Sequence, residues 1–392
     1  MGIGRRLVAG LLLAGFGIGL GLGALELGVR VLHLVPDRFW RPDPLLGTWH
    51  IPGKSGWWTQ EEHEFVVPVT ISSQGLRDVE HAEAKPPGVT RVLVLGDSYI
   101  EALQVRLEES FSRQLEARLN ENTSSRRYEV VSMGVSGYGT ASELLYYRRT
   151  GRAFAPDVVV LAFYPGNDVR NNSPTLEPAF PPSYGEDGAL LRVGGGDKKG
   201  SEPGGLLGRV RSYQYVRKLI LTRSPTVAGW LAGVGLMGRG AIRDVPMRDG
   251  IPTDYGVYAV PASPEWETAW THTENLVRAL RDDVVRNGAR FALLVVTARD
   301  HIYPESWAEI VAANPRMSEA TWDLAAPERR VLGWCEAESM SCLHLSTIFR
   351  THLADGERLH WVHDGHWTAA GHALAARSMA DFLREHSLLP PQ

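Results

Sequence analysis

Two cysteines in 392 residues are too few for a disulfide-built scaffold, so a fold of this length has to rest on an apolar core. Positive charge is in short supply as well. The 41 Lys and Arg residues stand against 45 Asp and Glu, a formal net charge of −4. No Lys/Arg-rich run follows the chain, so nothing here tracks a phosphate backbone, and nucleic acid is not an expected partner. Internal repeats are absent. Long apolar runs are absent too, with one exception.

That exception lies directly after Arg5 and Arg6. Leu7 to Leu25 is a stretch of 19 residues without a charge, long enough to cross a bilayer. Residues 27–35 stay largely apolar apart from Arg30 and His33. A secretory signal peptide has a shorter apolar core, and GALELGVRVLHL offers no convincing small-residue cleavage site. The expectation is an uncleaved single-pass anchor over residues 1–35. The basic pair then stays in the cytoplasm, and everything after Val35 lies on the extracytoplasmic side. Gly15, Gly19 and Gly23 share one helix face, as do Gly17 and Gly21, a pattern that also suits helix pairing. Glycine is common in membrane helices, so the oligomeric state is left open.

Residues 36–90 read as an irregular lead-in with short β elements, dense in Pro, Gly and Trp. Pro68 argues against a central strand in EFVVPVTIS. Trp40, Trp49, Trp57 and Trp58 suit packing on the domain or the membrane interface better than stacking on sugar rings. Pro86, Pro87 and Gly88 mark the junction to the main domain, residues 91–390.

From Arg91 the pattern alternates strand and helix. Val92 to Leu95 is an unbroken apolar run, which suits a strand buried on both faces of a parallel sheet. Phe111, Leu115 and Leu119 recur at helical spacing. Further strands are expected at Glu129–Met133, Asp157–Tyr164, Phe291–Val296 and Leu343–Leu345. Helices are expected at Ala141–Arg149, from Trp266 through Val284, at Pro327–Glu338 and at Thr368–Glu385. Five such units imply an α/β fold of three layers, α/β/α, with a five-stranded parallel sheet of flavodoxin-like type. An insertion of about residues 173–260 interrupts it, rich in Gly, Pro and Arg, with GGGDKKGSEPGG at its centre and one helical piece around Tyr213–Leu221.

The carboxyl ends of the strands carry the chemistry, because that edge is where open α/β sheets bind ligands. Strand one ends in Gly96-Asp97-Ser98. Strand two runs into GVSGYGT with Gly137, and strand three into YPGNDV with Asn167. The loop before the last helix reads HWVHDGHWTAAGH, with Asp364 and His366. A hydroxyl, a glycine amide, a carboxamide and an imidazole in this order resemble the SGNH (GDSL) hydrolase superfamily, over roughly Arg91 to Leu383. The resemblance implies Ser98 as nucleophile and His366 as base. It implies an oxyanion hole from the Ser98 amide, Gly137 and Asn167. The chemistry agrees, since serine attacks only when a neighbouring imidazole takes its proton and the developing oxyanion needs fixed donors.

Two positions depart from the usual family pattern. His363 stands where the orienting Asp is expected, three before the histidine, and the acid here is Asp364, two before. A D-x-H-W block resembles relatives acting on O-acetyl groups of exopolysaccharides, which keeps Asp364 as the third member of the triad. Ser132 stands where many relatives carry Asn, which removes one loop-anchoring hydrogen bond. The implied activity is hydrolysis of small O-acyl esters, acetyl above all, on an extracytoplasmic glycan. O-acyl transfer to a cell-surface polysaccharide is the alternative. A metallohydrolase using His360, His363, His366 and Asp364 leaves the other motifs unexplained. A non-catalytic tethered binding protein leaves the intact Ser, His and Asn unexplained. His372 reads as a helix-face residue. No cofactor or metal is implied. Cys335 and Cys342, seven apart, are either one local disulfide or two small buried residues.

Overall fold

The structure, a computed structural model, describes residues 3–60, 62–121, 127–178, 182–185, 189–193, 206–233, 247–248, 250–353 and 356–390. The chain divides into two compact units. One holds Met1–Asp37, Trp57–Val66 and Asp197–Asp244; the other holds Arg38–Gly56, Val67–Gly196 and Val245–Gln392.

In chain order, α1 (Ile3–Val31) precedes the short strands β1 (Trp40–Asp43), β2 (Gly47–His50), β3 (Ser55–Thr59) and β4 (Val66–Thr70). Then come β5 (Val89–Gly96), α2 (Ser98–Glu101), α3 (Phe111–Asn120), β6 (Arg127–Gly134), α4 (Thr140–Arg149), β7 (Val158–Phe163) and α5 (Pro165–Asn171). The insertion holds β8 (Pro182–Tyr184), β9 (Leu190–Val193), α6 (Arg211–Arg223), α7 (Pro225–Gly233), β10 (Met247–Arg248) and β11 (Ile251–Pro252). After it follow α8 (Pro264–Arg286), β12 (Arg290–Val295), α9 (Arg299–Ile302), α10 (Pro304–Ala313), α11 (Ala326–Ala337), β13 (Cys342–His344), α12 (Ser346–His352) and α13 (Ala369–Glu385).

The larger unit is built on a parallel sheet of five strands in the order β13–β12–β7–β5–β6. Its central strands carry unbroken apolar runs because both faces are covered. Val92 to Leu95 of β5 and all of β7 have no exposed surface. Side chains alternate between two cores. Leu93 and Leu95 join the layer containing Leu144 of α4 and Val277 of α8, while Val92 and Val94 join that of Leu115 of α3 and Met379 of α13. The fold is therefore the expected three-layer α/β/α arrangement, with strand ends within three residues of those read from the sequence. Strand order reverses between β5 and β7, since the chain leaves β5 for β6 on one side and later returns to β7 on the other. A crevice at the carboxyl ends of two such strands is where this topology places ligands.

Differences from the expected pattern fall outside the sheet. The lead-in is better ordered than its composition suggests, since β1 and β2 pair antiparallel with Trp40 opposite His50. Two of its tryptophans pack on the domain. Trp40 Nε1 donates to Glu101 at 2.8 Å, and Trp49 meets the Tyr146 ring edge-on with the Arg149 guanidinium 5.2 Å from its centroid. In the smaller unit Trp57 stacks on His33 at 4.0 Å.

The insertion holds two helices and short paired strands where one helical piece is expected. Gly and Pro there separate elements instead of abolishing them. Its two ends belong to the larger unit, where Leu176, Leu190 and Val193 are buried and Arg170 of α5 pairs with Asp254. The glycine-rich run 194–205 lies outside the described residues. Cys335 of α11 and Cys342 of β13 are joined in a disulfide, with Cα atoms 6.3 Å apart.

Candidate active site

The site begins where β5 stops. Asp97 caps α2, its carboxylate accepting from the Tyr99 N–H at 2.9 Å, and Ser98 becomes the first residue of that single helical turn. β6 passes very close beneath. A Cβ on Gly134 would lie 2.2 Å from the Glu101 nitrogen, so only glycine lets α2 sit on the sheet edge.

His366 arrives from the opposite end of the chain, in the loop between α12 and α13. Gly365 adopts φ +85°, a conformation open to glycine, and this turn brings the side chains on either side of it together. His366 Nδ1 lies 2.7 Å from Asp364 Oδ1, and its backbone N–H reaches the same oxygen at 3.3 Å. His366 Nε2 lies 2.8 Å from Ser98 Oγ. A carboxylate can only accept, so Nδ1 carries the hydrogen and Nε2 is left to accept from the Ser98 hydroxyl. Asp364, Gly365 and His366 are half-buried, and Trp367 behind them is fully buried. Thr368 then caps α13 by accepting from the Gly371 N–H.

Burial by itself would lower the pKa of His366. The hydrogen bond and charge of Asp364, with Asp97 and Glu101 behind it, outweigh burial and hold it above the ordinary imidazole value. The start of α13, three residues on, opposes the imidazolium through the helix dipole, and the carboxylates prevail.

Gly137, in the loop after β6, and Asn167, in the first turn of α5, stand at the same edge. Asn171 Nδ2, one turn beyond Asn167, donates to the Gly137 carbonyl at 3.2 Å. Gly137 has φ +78° with open space where a Cβ would be. Among the described residues neither the Ser98 nor the Gly137 N–H has an acceptor in the protein. Asn167 Nδ2 donates one hydrogen to Asp97 Oδ2 at 2.8 Å, which fixes the amide's orientation and leaves the second hydrogen for another acceptor.

Beneath this edge lie Asp97, Glu143 and Asp168, all fully buried. Burial first, and then the charge of Asp97 on Glu143 and of Glu143 and Asp97 on Asp168, push both well above the carboxylate range. Burial also raises Asp97, against the hydrogen bonds it accepts from Tyr99 and Asn167.

Glu101, on the same turn as Ser98, was not singled out from the sequence, yet it ties the site together. It is buried and accepts from Trp40 Nε1, from His50 Nε2 at 2.6 Å and from the Ser136 N–H at 2.8 Å, and it bonds the Ser136 hydroxyl. Ser136 precedes Gly137. Ser132 Oγ reaches only the Ile100 carbonyl, at 3.5 Å, and it is Glu101 that holds the residue before Gly137. An acid in the otherwise apolar YIEAL is the one signal of this role in the sequence.

The other histidines do not converge on a common point. His360 is buried, with Nε2 3.1 Å from the Thr297 carbonyl, and burial drops it to about 3. His372 packs edge-on against Trp367 in the core and likewise falls to about 3. His363 is exposed. Among the described residues no three His, Cys, Asp or Glu side chains are arranged around a metal-sized point.

No family model and no curated protein matches the chain. Solved structures resemble it in shape. An acetylxylan esterase from Geobacillus stearothermophilus is 14% identical over 76% of this chain and 93% of its own, with a TM-score of 0.37. A second acetyl xylan esterase is 13% identical over 74% and 98%, with a TM-score of 0.36. A two-domain esterase active on acetylated mannans is 11% identical over 76% and 49%, with a TM-score of 0.37. Likeness this remote carries no inference about what the present chain does.

Proposed function

We propose that this chain is a serine esterase of the SGNH (GDSL) type. Its main domain, residues 91–390 with an insertion at 173–260, would cleave small O-acyl groups, acetyl among them, from an extracytoplasmic glycan while residues 1–35 anchor it in the membrane. One observation carries the reading. His366 bridges a serine hydroxyl at 2.8 Å and a carboxylate at 2.7 Å, the relay that turns an unreactive hydroxyl into a nucleophile. Motif order in the sequence supports the family, and a 28-residue apolar span with none of its apolar stretch buried supports the anchor.

In this reading Ser98 Oγ attacks the acyl carbon as Nε2 takes its proton, and the carbonyl electron pair moves onto oxygen. The Ser98 and Gly137 amides and the free Asn167 hydrogen stabilise that oxyanion. Its collapse expels the alcohol oxygen, which takes the proton back from Nε2. Water, activated by the same nitrogen, then attacks the acyl-enzyme, and the carboxylic acid leaves as Oγ regains its hydrogen. Asp364 holds the tautomer and offsets the imidazolium charge throughout.

The test is fluorophosphonate labelling together with hydrolysis of a small aryl acetate. Wild type is expected to label at Ser98 and turn over without sensitivity to chelator, and Ser98→Ala to lose both activities. Chelator-sensitive hydrolysis that survives Ser98→Ala would overturn the reading.

A further inference from the structure

The smaller unit holds a feature that esterase chemistry does not use. Glu26, near the carboxyl end of α1, accepts from the backbone N–H groups of Arg211 at 3.1 Å and Ser212 at 2.7 Å. These are the first residues of α6, whose N–H groups have no partner inside their own helix. Arg30 Nε donates to the same carboxylate at 2.7 Å, and its guanidinium reaches the Arg209 carbonyl at 3.3 Å. Arg211 donates to the Pro36 carbonyl at 2.9 Å and pairs with Asp37. The start of α6 is thereby fastened to the end of α1.

What is fastened there has a distinctive composition. Residues 206–233 contain five basic residues and no acidic one. Among the described residues Arg217, Lys218 and Arg223 pair with no carboxylate. The same two helices leave large apolar side chains in the open, with Val216 41%, Val227 47% and Trp230 64% exposed. Cationic helices that present Trp and aliphatic side chains suit the boundary between lipid headgroups and acyl chains. Their depth follows from the attachment, since Glu26 is the first charged residue after an apolar stretch of bilayer length, the level at which a span meets the headgroups.

We propose that α6 and α7 lie in the headgroup layer of an anionic membrane leaflet, the one from which the carboxyl end of α1 emerges. Arg217, Lys218 and Arg223 meet lipid phosphates, and Val227 and Trp230 enter the acyl boundary. The inference rests on reading α1 as a membrane span, and the test separates the two.

The full chain is reconstituted in bilayers containing about one third phosphatidylglycerol, a fraction chosen to give a clearly negative surface. It carries a single environment-sensitive dye at Trp230→Cys or, as the span control, at Leu20→Cys. Both dyes are challenged with doxyl-labelled lipids and with iodide. The expected result is strong quenching at 230 by shallow doxyl groups, protection from iodide, and quenching at 20 by deep doxyl groups. Replacing Arg217, Lys218 and Arg223 with Ser should at least halve the shallow quenching at 230. A dye at 230 that iodide reaches and lipid does not quench, with 20 still quenched, overturns the inference and leaves the span intact. Protection from iodide without lipid quenching overturns it in favour of a protein-covered surface. A position 20 untouched by doxyl lipid overturns the span and the inference with it.

Discussion

His50 Nε2 meets Glu101 Oε1 at 2.6 Å, with both side chains sealed from solvent and 51 residues apart in the chain. Through this contact the lead-in hairpin holds the turn that carries Ser98, and the other Glu101 oxygen holds Ser136 beside Gly137. A buried carboxylate held by four hydrogen bonds has one low-energy position, so Glu101 fixes the spacing between the serine and the Gly137 amide.

Glu101→Gln keeps the shape and one acceptor while losing the charge, whereas Glu101→Ala frees the Gly137 loop. For the alanine variant we expect kcat to fall by about 10²- to 10³-fold, the scale of one lost oxyanion donor, with KM little changed and fluorophosphonate labelling slowed in parallel. The glutamine variant should recover much of the loss. Equal loss in both variants, together with a collapse in thermal stability, would assign Glu101 to folding alone.

The pH dependence follows from His366. In the proposed mechanism His366 is the base and must be neutral to accept a proton, and its pKa is held above the ordinary value of about 6.5 chiefly by Asp364. Wild-type kcat/KM should therefore fall as pH drops through a value above the ordinary one. Asp364→Asn removes the charge that favours imidazolium, so the acid limb should move to lower pH while kcat falls by about 10⁴-fold, the cost of losing the orienting carboxylate in such triads. His363→Ala should leave the limb in place. An unmoved limb in Asp364→Asn, measured across the full profile, would show that another group orients the imidazole.

How much could be read in advance depended on how local each interaction is. The strands of the sheet announce themselves because Val92 to Leu95 and Val158 to Phe163 are buried on both faces and must be apolar at every position. Ser98, Asn167 and His366 stand out because each follows a strand or opens the last helix in the order the chemistry uses. Glu101 did not stand out, because its partners Trp40, His50 and Ser136 come from three other segments and nothing in YIEAL points to them. Of the insertion's two helices, α6 is the helical piece expected around Tyr213–Leu221, whereas α7 was hidden for another reason. Its stretch runs into glycine-rich chain and carries the exposed Val227 and Trp230, so it lacks the single apolar stripe by which a core-facing helix is recognised.

The contact between Asp97 and Asn167 yields the last prediction. Asp97 Oδ2 holds Asn167 Nδ2 at 2.8 Å, while Oδ1 caps the turn of Ser98 by accepting from the Tyr99 N–H. The carboxylate thus aims the amide whose second hydrogen would meet the oxyanion. Asn167→Ala should cost about 10²- to 10³-fold in kcat. Asp97→Asn keeps an oxygen for the cap but sets two amides against each other, so Asn167 is expected to rotate and most of the same loss to appear. If Asp97 acts through Asn167, the double variant should be little worse than Asn167→Ala alone, an interaction between touching residues that a double-mutant cycle resolves. The cycle is read in kcat for a small aryl acetate, with circular dichroism confirming that every variant is folded. Losses that simply multiply would mean that Asp97 serves the Ser98 turn and not the amide.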